Sequence, residues 1–237
     1  MTPLDVEKGF WYYKPETNFP PKGIDSIENY QQTERLNLFF TDKNQAKVWC
    51  ENLPKLEQVT FLWVSCNVTQ ELFNSICQMK NLIGLNIERN TVVEISELSK
   101  LNKLKYLRLA NFVKIENINS LEHLSELKIL SLENLKRITN FEVLGNLKLL
   151  EGLSIDGSMY RKQKINNIEF ISNLKELKYL MFINTTMDNE NFDSILNLMK
   201  LETFYSSLNY PNSEFEKLNA LPNLKNSNIP IINKNGC

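Results

Sequence analysis

The feature that most constrains this chain of 237 residues is a leucine pattern that returns at a fixed distance. Residues 101–109 have the form L-x-x-L-x-x-L-x-L, in which x is mostly polar. Numbered by the first residue of the final L-x-L pair, nine copies begin at residues 36, 59, 85, 107, 130, 153, 180, 204 and 227. The intervals are 23, 26, 22, 23, 23, 27, 24 and 23 residues, so the chain is built from one repeated unit.

Each L-x-L pair alternates with a period of two, which predicts a short strand with one buried face. A single unit cannot bury its own leucines, so successive units must stack into one parallel sheet and one continuous core. The strands are expected near residues 37, 60, 86, 108, 131, 154, 181 and 205. Apolar residues at every third position between the pairs, as in Val92, Ile95, Leu98 and Leu101, favour short 3₁₀ turns or one short helix.

The repeats resemble the leucine-rich repeat family, specifically the short-repeat subclass of bacterial internalins and of a regulatory subunit of protein phosphatase 1. The resemblance covers about residues 30–230. It implies an α/β solenoid, a curved right-handed superhelix with a parallel β-sheet on its concave side and short 3₁₀ or helical segments on its convex side. Residues 1–35 are predicted to be an N-terminal cap, residues 36–225 the solenoid, and residues 226–237 a C-terminal cap or tail.

The family places an asparagine three residues after the L-x-L pair, where its side chain bonds neighbouring backbone. Asn90 and Asn209 hold that position, whereas apolar residues replace it in the repeats at 59, 107 and 130. Less regular turns are therefore expected in those three repeats. Asn111, Asn134 and Asn184 lie one residue early and are expected to substitute only in part.

Composition and motifs argue against several classes of function. The net charge is −1, with 27 basic and 28 acidic residues, so the basic excess typical of nucleic-acid binders is missing. The single histidine, His123, lacks the context of a base or ligand, and the spacing of the four cysteines fits no metal or redox motif. No phosphate-binding glycine loop occurs in the sequence. We therefore predict a protein without catalytic residues, metal site or cofactor.

Location is predicted from the first residues and from hydropathy. No apolar run is long enough to span a membrane, so no membrane insertion is expected. Residues 1–14 carry two acids and lack the apolar segment of a signal peptide. With Met1 present, these observations predict a cytoplasmic protein, most simply a monomer.

Alternation along the strands exposes side chains on the concave face, and some of these are apolar. A first group comprises Tyr179, Met181, Ile183 and Tyr205, and a second comprises Tyr106, Arg108 and Ile129. Glu88, Glu133 and Asp156 form an acidic line. Gly152 is expected to leave a shallow gap between Ile129 and Tyr179. We predict a partner-binding site at Tyr106, Arg108, Ile129, Glu133, Asp156, Tyr179, Met181, Ile183 and Tyr205, and the acidic line favours a partner with a basic rim.

The partner of such a face is most simply another protein. The high asparagine, lysine and isoleucine content hints at an AT-rich bacterial genome. One specific hypothesis is an intracellular inhibitor, such as an immunity protein for a toxin or enzyme, as the resemblance to a family that includes ribonuclease inhibitor implies. The alternatives are a scaffold or adaptor, and a secreted or surface adhesion module of the internalin type. A simpler explanation of the exposed tyrosines and isoleucines is strand propensity alone.

Overall fold

The computed structural model describes residues 27–227, and its main element is a parallel sheet of nine strands in the described chain. Neighbouring strands in the sheet follow one another along the sequence, which makes the fold a curved solenoid. The strands are β1 (Arg35–Leu38), β2 (Phe61–Val68), β3 (Gly84–Asn90), β4 (Tyr106–Ala110), β5 (Ile129–Glu133), β6 (Gly152–Asp156), β8 (Tyr179–Phe182), β10 (Thr203–Ser206) and β11 (Asn226–Ser227). A second, two-stranded parallel sheet pairs β7 (Gln163–Ile165) with β9 (Thr185–Met187).

Short helices connect the strands on the side opposite the nine-stranded sheet. The α-helices are α1 (Lys43–Asn52), α2 (Gln70–Ile76) and α3 (Asn212–Lys217). The 3₁₀ helices are Ile27–Tyr30, Leu53–Lys55, Ser96–Lys100, Asn119–His123, Glu142–Asn146, Glu169–Asn173, Ile195–Asn197 and Leu218–Ala220. Asp42 caps α1 by accepting a hydrogen bond from the Asn44 amide at 2.8 Å, and Thr69 caps α2. The spacing of three between repeats thus correctly predicts 3₁₀ turns for most of the units.

The core is a ladder of leucines held in line by the strand register. Leu107, Leu130, Leu153 and Leu180 pair directly across β4, β5, β6 and β8, and each is fully buried at 0% exposure. The second residue of each pair forms a parallel ladder beside the first, as in Leu109, Leu132 and Ile155. Each coil therefore covers the leucines of its neighbours, as stacking of repeats requires.

The predicted register is wrong at one repeat. Leu36 pairs with Leu62 rather than with Val59, and Leu38 pairs with Val64. The L-x-L pair of β2 is therefore Leu62 and Val64, and it begins three residues later than the sequence pattern suggests. The cause is the spacing of three itself, because Leu56, Val59 and Leu62 continue the same pattern one step further. A pair at residues 59 and 61 would put Leu62 on the exposed face by alternation, but Leu62 is buried with 2% exposure.

Asparagines close the turns that follow β4, β5 and β8. Asn111, Asn134 and Asn184 have positive φ angles of 62°, 55° and 53°, a conformation that asparagine tolerates better than most residues. The Asn134 amide group donates to the Asn111 side-chain oxygen at 2.8 Å, and the Asn111 amide group donates to the Glu88 carbonyl at 3.1 Å. The turns after β4 and β5 are therefore closed in the same way, and the irregularity expected there is not found. The expectation for the repeat at 59 does not apply, because Val64, on which it rested, lies inside β2 and pairs with Leu38. β2 itself has a register shift between Val64 and Asn67.

The predicted caps are only partly covered by the described residues. Residues 1–26 and 228–237 lie outside them, so the proposed ends of the solenoid at 35 and 226 remain predictions. Within the described part of the N-terminal segment, the ring of Tyr30 packs edge-on against Trp49, with ring centroids 5.5 Å apart. Trp49 lies in α1 and is buried with 1% exposure. Tyr30, which precedes the first repeat, therefore contributes to the core through this contact.

The leucine ladder yields a stability prediction. Leu130→Ala should lower the free energy of unfolding by about 2–5 kcal/mol, because it removes buried methyl groups and leaves a cavity between two neighbouring coils. The matched control is Leu149→Ala, since Leu149 is 44% exposed and its truncation should change stability by less than about 0.5 kcal/mol. Urea unfolding followed by circular dichroism measures both. Equal effects of the two substitutions would contradict the ladder.

The cysteines yield a second prediction. Cys50, Cys66 and Cys77 are free thiols. Burial raises the pKa of Cys50 and of Cys66 to about 11, and it raises the pKa of Cys77 further. Because the thiolate is the reactive form, a Cys237→Ser variant should react with a maleimide very slowly when folded at about pH 8, and rapidly at three sites when unfolded. Fast labelling of the folded protein would show that these thiols are not shielded by the core.

Candidate functional site

The concave face consists of three rows of side chains that run across the strands. Strand pairing defines the rows, because residues that pair stand side by side on the same face. The first row is Arg35, Phe61, Gly84, Tyr106, Ile129, Gly152, Tyr179, Thr203 and Asn226. The second is Asn37, Trp63, Asn86, Arg108, Ser131, Ser154, Met181 and Tyr205, and the third contains Phe39, Ser65, Glu88, Ala110, Glu133, Asp156, Ile183 and Ser207.

The structure brings the first predicted group together as one apolar cluster. Tyr179, Met181 and Ile183 extend along β8 and the residue after it, and Met181 pairs with Tyr205 of β10. Ile183 and Tyr205 are each 37% exposed, whereas Tyr179 and Met181 are half-buried. We call these four residues the C-terminal cluster. It presents large apolar side chains on a solvent-facing surface, where folding requires none.

The second predicted group is largely occupied by contacts within the protein. The ring of Tyr106 stacks on the ring of Phe61 across the intervening Gly84, with centroids 6.4 Å apart. Ile129 is 1% exposed, and its Cδ1 atom lies 2.8 Å from the position that a Cβ on Gly152 would take. The shallow gap expected at Gly152 is therefore filled by Ile129. Since Ile129 is buried, we remove it from the set of residues that a partner contacts.

Arg108 joins the acidic line rather than standing beside it. One terminal nitrogen of its guanidinium lies 3.1 Å from the Glu88 carboxylate, and the other lies 2.7 Å from the Glu133 carboxylate. The Asn86 side-chain oxygen accepts a further bond at 3.3 Å. The Arg108 side chain is only 15% exposed. Arg108 thus bridges three strands, and its charge is balanced inside the protein.

Asp156 is also held by its own chain. Its carboxylate accepts hydrogen bonds from the Ser154 hydroxyl and, at 2.8 Å, from the Ile183 amide. Burial raises the pKa of Asp156 to about 6. The two hydrogen bonds lower this pKa, and the nearby charge of Glu133 raises it. The three carboxylates of the acidic line are therefore engaged by Arg108, a hydroxyl and a backbone amide. The line nevertheless keeps an excess of negative charge, because Arg108 offsets only one of the three carboxylates and neutral hydrogen-bond donors offset none.

The sequence analysis did not identify Phe61 and Trp63 as residues of the concave face. Both stand on the concave side of β2 once the strand is placed in its observed register, and both are buried, with 7% and 9% exposure. Phe61 also packs under the guanidinium of Arg35, whose carbon lies 4.7 Å from the ring centroid. The signal that would have found them is Leu62, because it continues the L-x-x-L-x-x-L-x-L pattern of the other repeats.

Two classes of site receive no support from residues 27–227. Within that range no three histidine, cysteine or acidic side chains lie together as potential metal ligands. No helix in the same range is long and apolar enough to cross a membrane. His123 lies in a 3₁₀ helix on the convex side, where its side chain is 60% exposed.

Asp156 generates a pH-dependent prediction. Its pKa of about 6 in the fold exceeds the value of about 3.9 for an unfolded chain, so the folded protein binds the proton more tightly. This contribution to stability is present below about pH 4 and is lost as the pH rises through about 6. Asp156→Asn should therefore stabilise the fold by about 1–2 kcal/mol near pH 8 and have little effect near pH 4. Urea unfolding across this range measures it.

The control for this prediction is Glu126→Gln, which neutralises an exposed carboxylate in the turn before β5. That variant should retain the pH dependence of the unmodified protein. A curve for Asp156→Asn that runs parallel to that of the unmodified protein would show that Asp156 titrates alike in both states.

Comparison with known proteins agrees with this architecture. A family model described as a leucine-rich repeat region matches residues 19–231. Internalin C2 from Listeria monocytogenes is 23% identical over 77% of this chain and 82% of its own, with a TM-score of 0.56. The plant peptide hormone receptor RGFR1, solved in complex with RGF2, is 16% identical over 86% of this chain and 33% of its own, with a TM-score of 0.55. A search of curated proteins found no match.

The two structures share less than a quarter of their residues with this chain, so their likeness concerns the fold. The family model is the stronger finding, because it covers nearly the whole chain, including all nine strands of the sheet. The chain belongs to the leucine-rich repeat family.

Proposed function

We propose that this chain is a non-enzymatic binding module that holds a partner protein on the C-terminal half of its concave face. The observation that supports the proposal is the C-terminal cluster. Ile183 and Tyr205 each expose 37% of their surface, and the only other exposed apolar residue in the three described rows is Phe39, near the opposite end of the face. Proteins of this family generally bind other proteins.

The size and chemistry of the face suit a protein partner. Nine strands spaced by about 4.8 Å extend over roughly 40 Å, enough for an interface of about 800 Å² on each side. Tyrosine supplies a large contact area at a small entropic cost, and methionine adapts to an irregular surface. Tyr205 and Met181 lie side by side, so a single side chain of the partner can contact both.

The other predicted site residues have a different role in this proposal. Tyr106 and Glu133 lie at the N-terminal margin of the binding face. Arg108 and Asp156 maintain its shape, because the terminal guanidinium nitrogens of Arg108 and the carboxylate of Asp156 are already bonded within the protein. Substitution of these two residues should therefore affect binding through the position of their neighbours more than through a lost contact.

The finer form of the proposal is that the chain inhibits its partner, as an immunity protein inhibits a toxin. A scaffold or adaptor, and a surface adhesion module, are the alternatives. Inhibition requires that the partner be an enzyme whose activity falls when the complex forms, whereas an adaptor or adhesin leaves its partner active. A cytoplasmic location and a monomeric state also remain predictions, which cell fractionation and analytical ultracentrifugation test.

The concave face can be tested with a photo-cross-linking residue. Placed at Tyr205, it should yield a discrete cross-linked protein in native cells. Placed at Glu169, an exposed residue of a convex 3₁₀ helix, it should not. Tyr205→Ala should then weaken binding of the purified partner by on the order of 2 kcal/mol, with little change in folding stability. Titration calorimetry measures the affinity.

The matched truncation is Met199→Ala, because Met199 is 57% exposed and lies in the turn before β10, outside the cluster. It should leave the affinity unchanged. Equal binding by the protein and its Tyr205→Ala and Met181→Ala variants would show that the partner binds elsewhere.

A further inference from the structure

The longest interval between repeats, 27 residues, contains a small hairpin at the edge of the concave face. Ser158 and Arg161 exchange two backbone hydrogen bonds, of 2.8 and 3.3 Å, and only two residues lie between them. We call residues 158–161 the rim hairpin. Its removal would restore the interval of 23 residues that separates the preceding repeats, so the solenoid itself does not require it.

The rim hairpin is anchored to the next coil on both sides. The Gly157 amide donates to the Ile183 carbonyl at 2.9 Å, and the Gln163 amide donates to the Asn184 carbonyl at 3.0 Å. The Asn184 side chain also donates to the Ser158 carbonyl. A Cβ at Gly157 would collide with backbone oxygens of Arg161 and Asn184, so glycine is needed there. The hairpin is therefore preorganised beside Ile183 of the C-terminal cluster.

The tip of the rim hairpin carries two apolar side chains that contribute almost nothing to folding. Met159 is 85% exposed and Tyr160 is 93% exposed, the two highest values among the described large hydrophobic residues. Exposed apolar groups on a rigid protrusion are typical of a binding surface, since they bury area without a cost for ordering the backbone. The tip thus extends the apolar surface of the C-terminal cluster onto the rim.

A row of cations continues from the rim hairpin toward the N-terminal coils. We call it the basic ridge, and it consists of Lys114, Lys136, Arg137, Arg161, Lys162 and Lys164, all of which are exposed. The Gln163 side chain links two of its coils, because it bonds the Leu135 amide at 2.9 Å and the Ile138 carbonyl at 2.7 Å. The Arg137 guanidinium lies 3.5 Å from the Lys114 carbonyl, and this contact links the third coil of the ridge, the one that contains Lys114.

The basic ridge has an excess of positive charge in the described part of the chain. Within residues 27–227, Glu116 pairs with Arg137 at 2.8 Å and Asp188 pairs with Lys164 at 3.1 Å. The other four cations of the ridge form no ion pair within residues 27–227. The chain as a whole carries a net charge of −1, so this positive strip is a local asymmetry and not a reflection of composition.

We infer that the rim hairpin and the basic ridge bind an acidic segment of the partner protein. Carboxylates of that segment face Arg161 and Lys162, and an apolar side chain packs between Met159 and Ile183. The inference rests on the proposed function, because it assumes a protein partner on the adjoining concave face. It adds an acidic segment to the basic rim that the acidic line favours in a partner, since the line has an excess of negative charge and the ridge an excess of positive charge among the described residues.

The arrangement of apolar surface favours a protein over a nucleic acid or a membrane. A nucleic-acid backbone would satisfy the cations but would leave Met159 and Ile183 against sugars and phosphates. A flat membrane would receive the protruding tip but could not reach the C-terminal cluster, which lines the inner face of the curve. A protein segment can contact the ridge, the tip and the cluster together.

The test uses a phage-displayed library of random dodecapeptides selected on the full chain. Synthetic copies of the selected peptides are then titrated by fluorescence anisotropy. Two double variants are compared with the unmodified protein: Met159→Ser with Tyr160→Ser, and Arg161→Glu with Lys162→Glu. The apolar control is Met199→Ser, and the charge control is Lys80→Glu with Lys175→Glu, two exposed lysines in turns that precede strands. All the changed side chains are exposed, so unfolding curves should coincide.

The inference predicts peptides that combine aspartate or glutamate with apolar residues. Each hairpin variant should bind them about tenfold or more weakly, the controls should bind within about twofold of the unmodified protein, and added salt should weaken binding. Selection of peptides without acidic residues, of none at all, or of peptides that both double variants bind normally would overturn the inference. Hairpin-dependent binding of a single-stranded oligouridylate or of phosphatidylserine vesicles, without peptide binding, would also overturn it.

The Tyr205→Ala variant separates this inference from the proposed function. Loss of peptide binding in Tyr205→Ala but not in the hairpin variants would leave the concave site standing and would exclude the ridge. Loss in the hairpin variants alone would support the ridge and place the peptide off the concave face.

Discussion

Everything in this structure depends on the fact that no coil can bury its own leucines. Leu130 is covered only because Leu107 and Leu153 lie beside it in register. The backbone bonds of the parallel sheet and the leucine ladder enforce the same alignment, so a shift in one would break the other. The same alignment sorts the remaining side chains of each strand into three rows, and it therefore decides which residues a partner meets.

Because that constraint is periodic, most of the fold could be predicted from the spacing of leucines. The strands at the repeats beginning at 85, 107, 130, 153, 180 and 204 lie where the pattern puts them. Where the prediction was wrong, at β2, the pattern was ambiguous in itself. Leu53, Leu56 and Val59 have the same spacing as Leu56, Val59 and Leu62, and only the pairing with β1 decides between them.

The candidate site was less predictable, because side-chain contacts across strands are not encoded in the period. The strands β8 and β10 pair in the register that the repeats indicate, so the residues of the C-terminal cluster lie together as the alternation indicates. The burial of Ile129, however, depends on the space above Gly152, and the bonding of Arg108 depends on carboxylates 20 and 25 residues away in sequence. A row of residues thus predicts which side chains are neighbours, but it does not predict which side chains already have packing or hydrogen-bond partners within the protein.

The same constraint explains why the rim hairpin is informative. A stack of coils tolerates extra residues only where they can leave the coil and return before the next strand, which confines them to a rim or to the convex side. The chain leaves the coil after Gly157 and returns at Gln163, which is buried and bonded to the preceding coil. Between these fixed points, no side chain is needed to fill the core or to hold the register. Met159, Tyr160, Arg161 and Lys162 are thus released from the demands of folding, and all four are exposed. Within residues 27–227 the two cations form no ion pair, so this is the part of the chain that the proposed acidic segment would cover.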